Sequence, residues 1–437
     1  MLMLGLLVVL LLWLSSRPEE TGAFNVHFDA ETPPGVPRLS PTHTITLDPS
    51  HAGEWVVLGD VDGDGEMEIV SARNVDENDV HFTSAVVAQR FDGTVLWRWG
   101  NPAIGRAELH HDVACQIYDW DGDGLNEVVL ATEGYLVELE GATGRERRRL
   151  PLPPKATDCL VFANLSGGPR ATDILVKDRY WNLWAFSREW QLLWQIENPG
   201  GYRTSHQPLP LDLDGDGRDE IMAGYALLDP AGEVRWVLQS EGVDLAGAHL
   251  DCTRVVRTGA RPEDFRLVHT YCGVGALAMT DGLGQTVWEI NGHHFESLDV
   301  GKIRADVPGL QIVVDLVDFI APGQNPTWLL DEEGRLLGQF TTPYSRFHSL
   351  VDWNGDGLEE IVLADVPLIC DGHGQPLARL SVNEAPTQFL RVGDLTGDGR
   401  ADICIHNQTR LHVFTNPSPT RPATPARPGS GVNATLY

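Results

Sequence analysis

Five times this chain repeats a nine-residue pattern, Asp-x-Asp/Asn/Thr-x-Asp-Gly-x-x-acid. The copies are Asp60, Asp62, Asp64, Gly65, Glu68; Asp119, Asp121, Asp123, Gly124, Glu127; and Asp212, Asp214, Asp216, Gly217, Glu220. Two more are Asp352, Asn354, Asp356, Gly357, Glu360 and Asp394, Thr396, Asp398, Gly399, Asp402. An oxygen at every second position, a glycine that permits a tight turn and a closing carboxylate suit a hard cation with several oxygen ligands, and Ca²⁺ fits best. Asn354 and Thr396 make the last two sets weaker. Asp, Asn and Gly are also ordinary turn residues, so a single copy would say little. The repetition with the same closing acid is what points to a metal.

These are not EF-hands. An EF-hand loop closes with a bidentate Glu at its twelfth position and runs into a helix. The twelfth residues here are Ser71, Leu130, Ala223, Leu363 and Ile405, and short apolar runs follow the motif, such as Val128-Val129-Leu130. Val56-Val57-Leu58 before the first copy is also strand-like. The motif therefore reads as a metal-binding turn between two strands.

The elements that carry these turns repeat as well. Decayed copies fill the gaps between the clear ones: Asn164 leading to Asp173, Leu250-Asp251-Cys252, and Gly301 to Asp306. That makes eight units of about 40 to 60 residues, the range of propeller blades. Within a unit, short strand-like runs alternate with turns, as in Cys159 to Ala163, Ile174 to Lys177, Leu183 to Phe186 and Leu192 to Ile196. Several units end in a Gly turn followed by Trp, at Gly93 and Trp97, Gly232 and Trp236, and Gly284 and Trp288. The expected fold is all-β: a β-propeller of eight four-stranded blades with calcium-binding turns, or seven blades if one decayed unit is an insertion. The last unit supplies three strands, so Thr44 to Leu47 is expected to give the fourth and close the ring. The propeller is placed at residues 43–415, after an extended lead-in at 24–42. A Pro-rich tail at 416–437 is expected to be disordered.

Composition limits the partners. With 62 acidic and 32 basic residues, the chain carries a formal charge of −30. That argues against nucleic acid and anionic membranes. Residues 1–14 are almost wholly apolar but too few to span a bilayer of roughly 30 Å, so residues 1–23 read as a secretory signal or a short anchor and the protein as exported. No other segment could span a membrane, and a monomer is expected. The six cysteines contain no CxxC pair; buried thiols are the simpler reading over bridges, and a Cys-based zinc site is not indicated.

The turn motifs with their flanking strands resemble FG-GAP/VCBS-type propeller repeats. Longer stretches narrow the likeness: His111 through Gly124, Asp173 through Tyr180, Asp216 through Asp229, and Leu350 through Leu358. Across roughly residues 50 to 415 the chain resembles the propeller polysaccharide lyases, among them ulvan lyases, rhamnose-glucuronate lyases and, more distantly, rhamnogalacturonan lyases. The resemblance implies β-elimination beside a uronic acid, with an acidic polysaccharide or another glycan as partner. That chemistry needs a group to neutralise the uronate carboxylate, a base for the C5 proton and an acid for the leaving oxygen. The family uses His, Tyr and Arg for these tasks. The positions it implies here are His110 and His111 before the second turn, Arg179 and Tyr180 in the next unit, and Arg203 and His206 leading into the fourth. The family's pair of separated histidines is not evident; His293, His294 and His348 are further candidates. A non-catalytic propeller that binds glycan or protein is the alternative, since one fold hosts both.

Overall fold

In a computed structural model of the protein, residues 20–28, 35–108, 112–317, 325–343, 347–382, 389–418 and 433–435 are described. They form eight sheets, each built on strands that follow one another in the chain and pair antiparallel. Blade 1 runs from Trp55 to Gly100, blade 2 from Cys115 to Pro151, blade 3 from Cys159 to Glu197 and blade 4 from Thr204 to Val237. Blade 5 runs from His249 to Asn291, blade 6 from Phe295 to Thr342, blade 7 from His348 to Leu380, and blade 8 from Phe389 to Phe414. This is the expected eight-bladed propeller.

Blade 8 has three strands of its own, and the strand His43–Thr46 completes it by pairing antiparallel with Arg410–Phe414. The ring thus closes through hydrogen bonds between segments some 370 residues apart in sequence, as Thr44 paired with His412 shows. Closure leaves no blade with an unpaired partner face, which is how propellers protect their edges. The lead-in does more than approach the ring. Its strand Glu20–His27 adds parallel to the outer edge of blade 6, and Arg38–Leu39 adds parallel to blade 7. The first of these strands runs across residue 23, the end of the expected signal or anchor.

Each blade begins at the channel and works outward. Strand one is lined by apolar residues that pack on neighbouring first strands, and inter-blade bonds join them: Trp55 Nε1 donates to the Cys115 carbonyl at 3.0 Å and Arg391 Nε to the Val56 carbonyl at 2.9 Å. Because strands alternate in direction, every turn between strands one and two lies at one end of the ring. The hairpins between strands two and three, and the links between blades, lie at the other. The repeated acidic turns therefore occupy one end of the molecule.

The Gly-turn and Trp signature has a mechanical reason. Trp97, Trp194, Trp236 and Trp288 each stand on the outer strand of a blade and lie over a glycine in the next blade's last turn: Gly144, Gly232, Gly284 and Gly334. A Cβ on these glycines would come within 2.5 to 2.9 Å of the indole. All four glycines have positive φ, between +66° and +84°, which side chains disfavour. Each indole N–H also donates to a carbonyl of that next turn, at 2.6, 3.0, 3.1 and 2.9 Å. The pair is a clasp between neighbouring blades.

None of the six cysteines forms a disulfide among the described residues; five are buried and Cys272 is partly so. Among the described residues no helix is long and apolar enough to cross a membrane.

Candidate functional site

The acidic turns share one backbone scheme. In the first four turns the first Asp accepts N–H bonds from the two glycines, as Asp60 does from Gly63 at 2.7 Å and Gly65 at 3.0 Å, and in the fifth Asp394 accepts from Asp398 and Gly399. The closing acid accepts the N–H of the second turn residue: Glu68 from Val61, Glu127 from Trp120, Glu220 from Leu213, Glu360 from Trp353 and Asp402 from Leu395. Two decayed turns keep this bond with no full acidic set around it, Asp173 to Leu165 and Gln311 to Ile303. The closing residue therefore has a structural duty that outlasts the other acids.

In the first three turns, carboxylate oxygens of Asp60, Asp62 and Glu68, of Asp119, Asp121 and Glu127, and of Asp212, Asp214 and Glu220 lie within 4.8 Å of one another. Carboxylates this close, with the closing Glu buried, raise each other's affinity for positive charge. Burial, then the charge of Asp121, pushes Glu127 up to about 7. Burial, then Asp356 and Asp352, does the same to Glu360. These sets can hold a metal ion. Arginines also reach them: Arg147 bonds Asp121 at 2.5 Å and Glu127 at 2.7 Å, and Arg90 pairs with Asp62. In the fourth turn Asn354 gives its amide to Glu360, and in the fifth Thr396 gives its hydroxyl to Asp402. The first three turns fit a cation better than these two.

The other end of the ring gathers a different set. His110 and His111 lie outside the described residues. The remaining four candidates come together at the junction of blades 3 and 4. Tyr180 follows the second strand of blade 3, and its carbonyl accepts the Thr204 N–H at 2.7 Å, which draws the start of blade 4 against it. The Arg203 guanidinium lies 5.3 Å from the Tyr180 ring centre and 5.1 Å from that of Trp181. The Arg179 guanidinium lies 5.2 Å from the Tyr180 ring on its own account. The His206 ring is 5.6 Å from Tyr180.

Several partners in this cluster come from blades that the sequence gives no reason to join. His249, the first residue of blade 5, places Nε2 3.0 Å from Nε2 of His206 and its ring 4.8 Å from Tyr180. Asp112, on the link into blade 2, accepts from His206 Nδ1 at 2.7 Å. With that proton on Nδ1, Nε2 of His206 accepts from His249. Burial, then the charges of His206 and Arg203, drives His249 down to about 3, so it is neutral. Beneath Tyr180, Lys177 is fully buried and bonds Asp158 at 2.8 Å. Burial works against its charge, but Asp158 and Asp112 outweigh burial and raise it. His81, beyond a long hairpin of blade 1, reaches Asp158 at 2.8 Å and Arg179 at 2.9 Å. Burial opposes the charge of Arg179, and Asp112 and Asp158 more than offset it. Burial raises Tyr180, with Arg179 opposing. The phenol is thus held protonated at neutral pH.

Arg203 stands apart from this paired network. Among the described residues it makes no ion pair, and its Nε is buried without a hydrogen-bond partner. It is a cation held by aromatic faces and free to meet an anion. Trp181 beside it is 45% exposed, an apolar platform at the mouth.

His206, His249 and Asp251 also form a group whose ligand atoms lie within 4.8 Å, and so do Asp251, Cys272 and His294. Both can hold a metal ion. His294 is 3.1 Å from Cys272 Sγ; His348 lies in the channel wall on Asp299 at 3.0 Å, and His293 packs on Trp328.

Comparison with known proteins agrees with this architecture. Residues 42–145 match the model of the rhamnogalacturonan lyase family 11 C-terminal domain. The chain is 25% identical to the rhamnogalacturonan endolyase YesW of Bacillus subtilis, over 40% of this chain and 38% of that protein. The solved Bacillus licheniformis rhamnogalacturonan lyase PL11 superposes with a TM-score of 0.65 at 20% identity, over 89% of this chain and 76% of that one, which shows the fold. The rhamnogalacturonan exolyase YesX of B. subtilis is 32% identical over 88% of this chain and 75% of its own length, and on that extent of likeness the chain belongs to the rhamnogalacturonan lyases of family 11.

Proposed function

We propose that this protein is an exported lyase that cleaves a uronate-bearing polysaccharide of the rhamnogalacturonan class by β-elimination at the junction of blades 3, 4 and 5. The observation that carries this reading is Arg203. A half-buried guanidinium with no carboxylate partner among the described residues, set against the rings of Tyr180 and Trp181 in a protein of charge −30, is a docking point for an anionic sugar.

The rest of the cluster supplies the proton transfers. Arg203 neutralises the uronate carboxylate and so acidifies the C5 proton. The His206–His249 pair takes that proton, with Asp112 accepting from His206 Nδ1 and so fixing the ring's orientation. The C5–H electrons form the C4–C5 double bond, the C4–O bond breaks, and Tyr180 gives its proton to the leaving oxygen. Arg179, Lys177, Asp158 and His81 hold Tyr180 in place. Exposed Trp181 offers a face for a neighbouring sugar ring.

The acidic turns, at the opposite end of the ring, bind Ca²⁺ as staples and take no part in the chemistry. The group His206, His249 and Asp251 supports a second reading of the imidazole pair, as ligands of a borderline cation such as Zn²⁺. Elemental analysis of the purified protein separates the two: zinc near one per chain, lost together from His206→Asn and His249→Asn variants, favours ligands over bases. Appearance of an unsaturated uronate on incubation with rhamnogalacturonan tests the activity itself.

A further inference from the structure

We infer that the channel wall formed by blades 2 to 5 is a peptide-docking site, and that its occupant is this chain's own segment Asn433–Thr435. The contacts are those of recognition rather than of a passing tail. The Asn433 amide reads the backbone of Phe162 in both directions: Oδ1 accepts its N–H at 2.7 Å and Nδ2 donates to its carbonyl at 2.8 Å. Gln116 reads Ala434 the same way, accepting its N–H at 2.8 Å and donating to its carbonyl at 3.2 Å. Gln207 donates to the same carbonyl at 3.2 Å, and Arg254 reaches the Thr435 hydroxyl at 3.3 Å.

Four consecutive blades each contribute their first strand to three residues of peptide. Such paired amide bonds satisfy groups that would otherwise be left unpaired inside a narrow channel.

The docked segment borders two cavities. Asn433 and Thr435 line one of about 580 Å³ that reaches Asp212 and Asp219 at the acidic-turn end. Thr435 also lines a small one of about 100 Å³ with Asp299, His348 and Arg391. Gln207, which holds the segment, directly follows His206. Since the segment pins four blades from inside, it is also a brace across them.

Hydrogen–deuterium exchange of the full chain tests this. The Ala434 amide should exchange at least about tenfold more slowly than in a synthetic peptide of residues 427–437, as a bonded amide does. Asn433→Ala should return it to the peptide rate while the blade strands keep their protection, and the wild-type peptide, but not its Asn433→Ala form, should then bind the variant in trans. Exchange at the free-peptide rate in the wild type overturns the proposal. So does protection that survives both Asn433→Ala and Gln116→Ala. Protection that grows with protein concentration would place a second copy's segment in the channel and overturn the assignment to the same chain.

Discussion

Nε2 of His206 and Nε2 of His249 stand 3.0 Å apart, although 43 residues and a whole blade separate them in the chain. Asp112, on the link into blade 2, fixes the other nitrogen of His206. If the pair is the base, His206→Asn should lower kcat by about 10²- to 10⁴-fold, the usual worth of a positioned base. Asp112→Asn should lower it less, with little change in KM, because the imidazole stays but its tautomer is no longer enforced. Equal loss of folding stability and activity in both variants would make the roles structural.

Arg203→Ala should act chiefly on KM. A charge-assisted bond to a carboxylate contributes about 1.5–3 kcal/mol, so affinity for uronate oligosaccharides should fall by roughly 10- to 100-fold. Arg203→Lys should recover only part of this, since an ammonium neither forks onto a carboxylate nor stacks as flatly on Tyr180 and Trp181. Unchanged binding by calorimetry in Arg203→Ala would remove the carboxylate-docking role.

Chelation should lower the melting temperature by several degrees, because an ion bound only to the folded state stabilises it by RT ln(1 + [L]/Kd). Asp121→Ala should remove one ion and leave those at Asp60 and Asp212 in place, read by elemental analysis. No calcium in the protein and an unchanged melt in excess chelator would contradict calcium binding. Gln311 already shows that a turn can persist on the backbone bond alone, so such turns should survive chelation locally.

Burial alone drives His269 down to about 3; its ring sits between the hydroxyls of Thr253 and Thr280 at 2.9 Å each. A histidine depressed on folding is protonated first in the unfolded chain. Its contribution is therefore whole above pH 6.5 and is lost as pH falls towards 3. In that window it should make stability fall by up to about 1.4 kcal/mol per pH unit. Denaturant titrations of wild type and His269→Gln across this range should show a shallower slope in the variant. Equal slopes would mean that His269 protonates in the fold.

The Trp–Gly clasps should be costly to break. Trp236→Ala removes the indole over Gly284 and its bond to Gly282. The ring is partly exposed, so a loss of about 2–3 kcal/mol is expected, below the ~3–5 of a fully buried Trp. Gly284→Ala should destabilise by about 1–3 kcal/mol, from a positive φ and a Cβ pressed into the same ring. Urea unfolding checks both.

Much of this was legible in the chain. The spacing of Asp60, Asp119, Asp212, Asp352 and Asp394 gave the blades, and the missing fourth strand of blade 8 predicted its partner near Thr44. Tyr180, Arg179, Arg203 and His206 could be singled out by a family resemblance, and the fold places them together. His249, His81, Asp112 and Lys177 could not. Their meeting depends on how blades converge at one end of a ring, and that convergence leaves no fixed spacing along the sequence. His206 and His249 both stand near the start of a first strand, a shared register that was the available clue. The outer strands Glu20–His27 and Arg38–Leu39 were also hidden, because parallel addition to a distant edge has no local signal. The Asn433 segment fell within a Pro-rich tail expected to be disordered, and its place comes from Gln116, the Phe162 backbone, Gln207 and Arg254, all distant in sequence.

The central claim is that this cluster performs β-elimination on a uronate-bearing glycan. The direct measurement is the ultraviolet absorbance of the unsaturated uronate product, followed with rhamnogalacturonan and a panel of other acidic polysaccharides, for wild type and for Tyr180→Phe and Arg203→Ala. The account predicts product from a uronate-containing polymer with the wild type, near-complete loss in Tyr180→Phe, and in Arg203→Ala a loss at low polymer concentration that is largely recovered at high concentration, while the melting temperatures of both variants hold. No product from any polymer, or equal product from all three proteins, would contradict it.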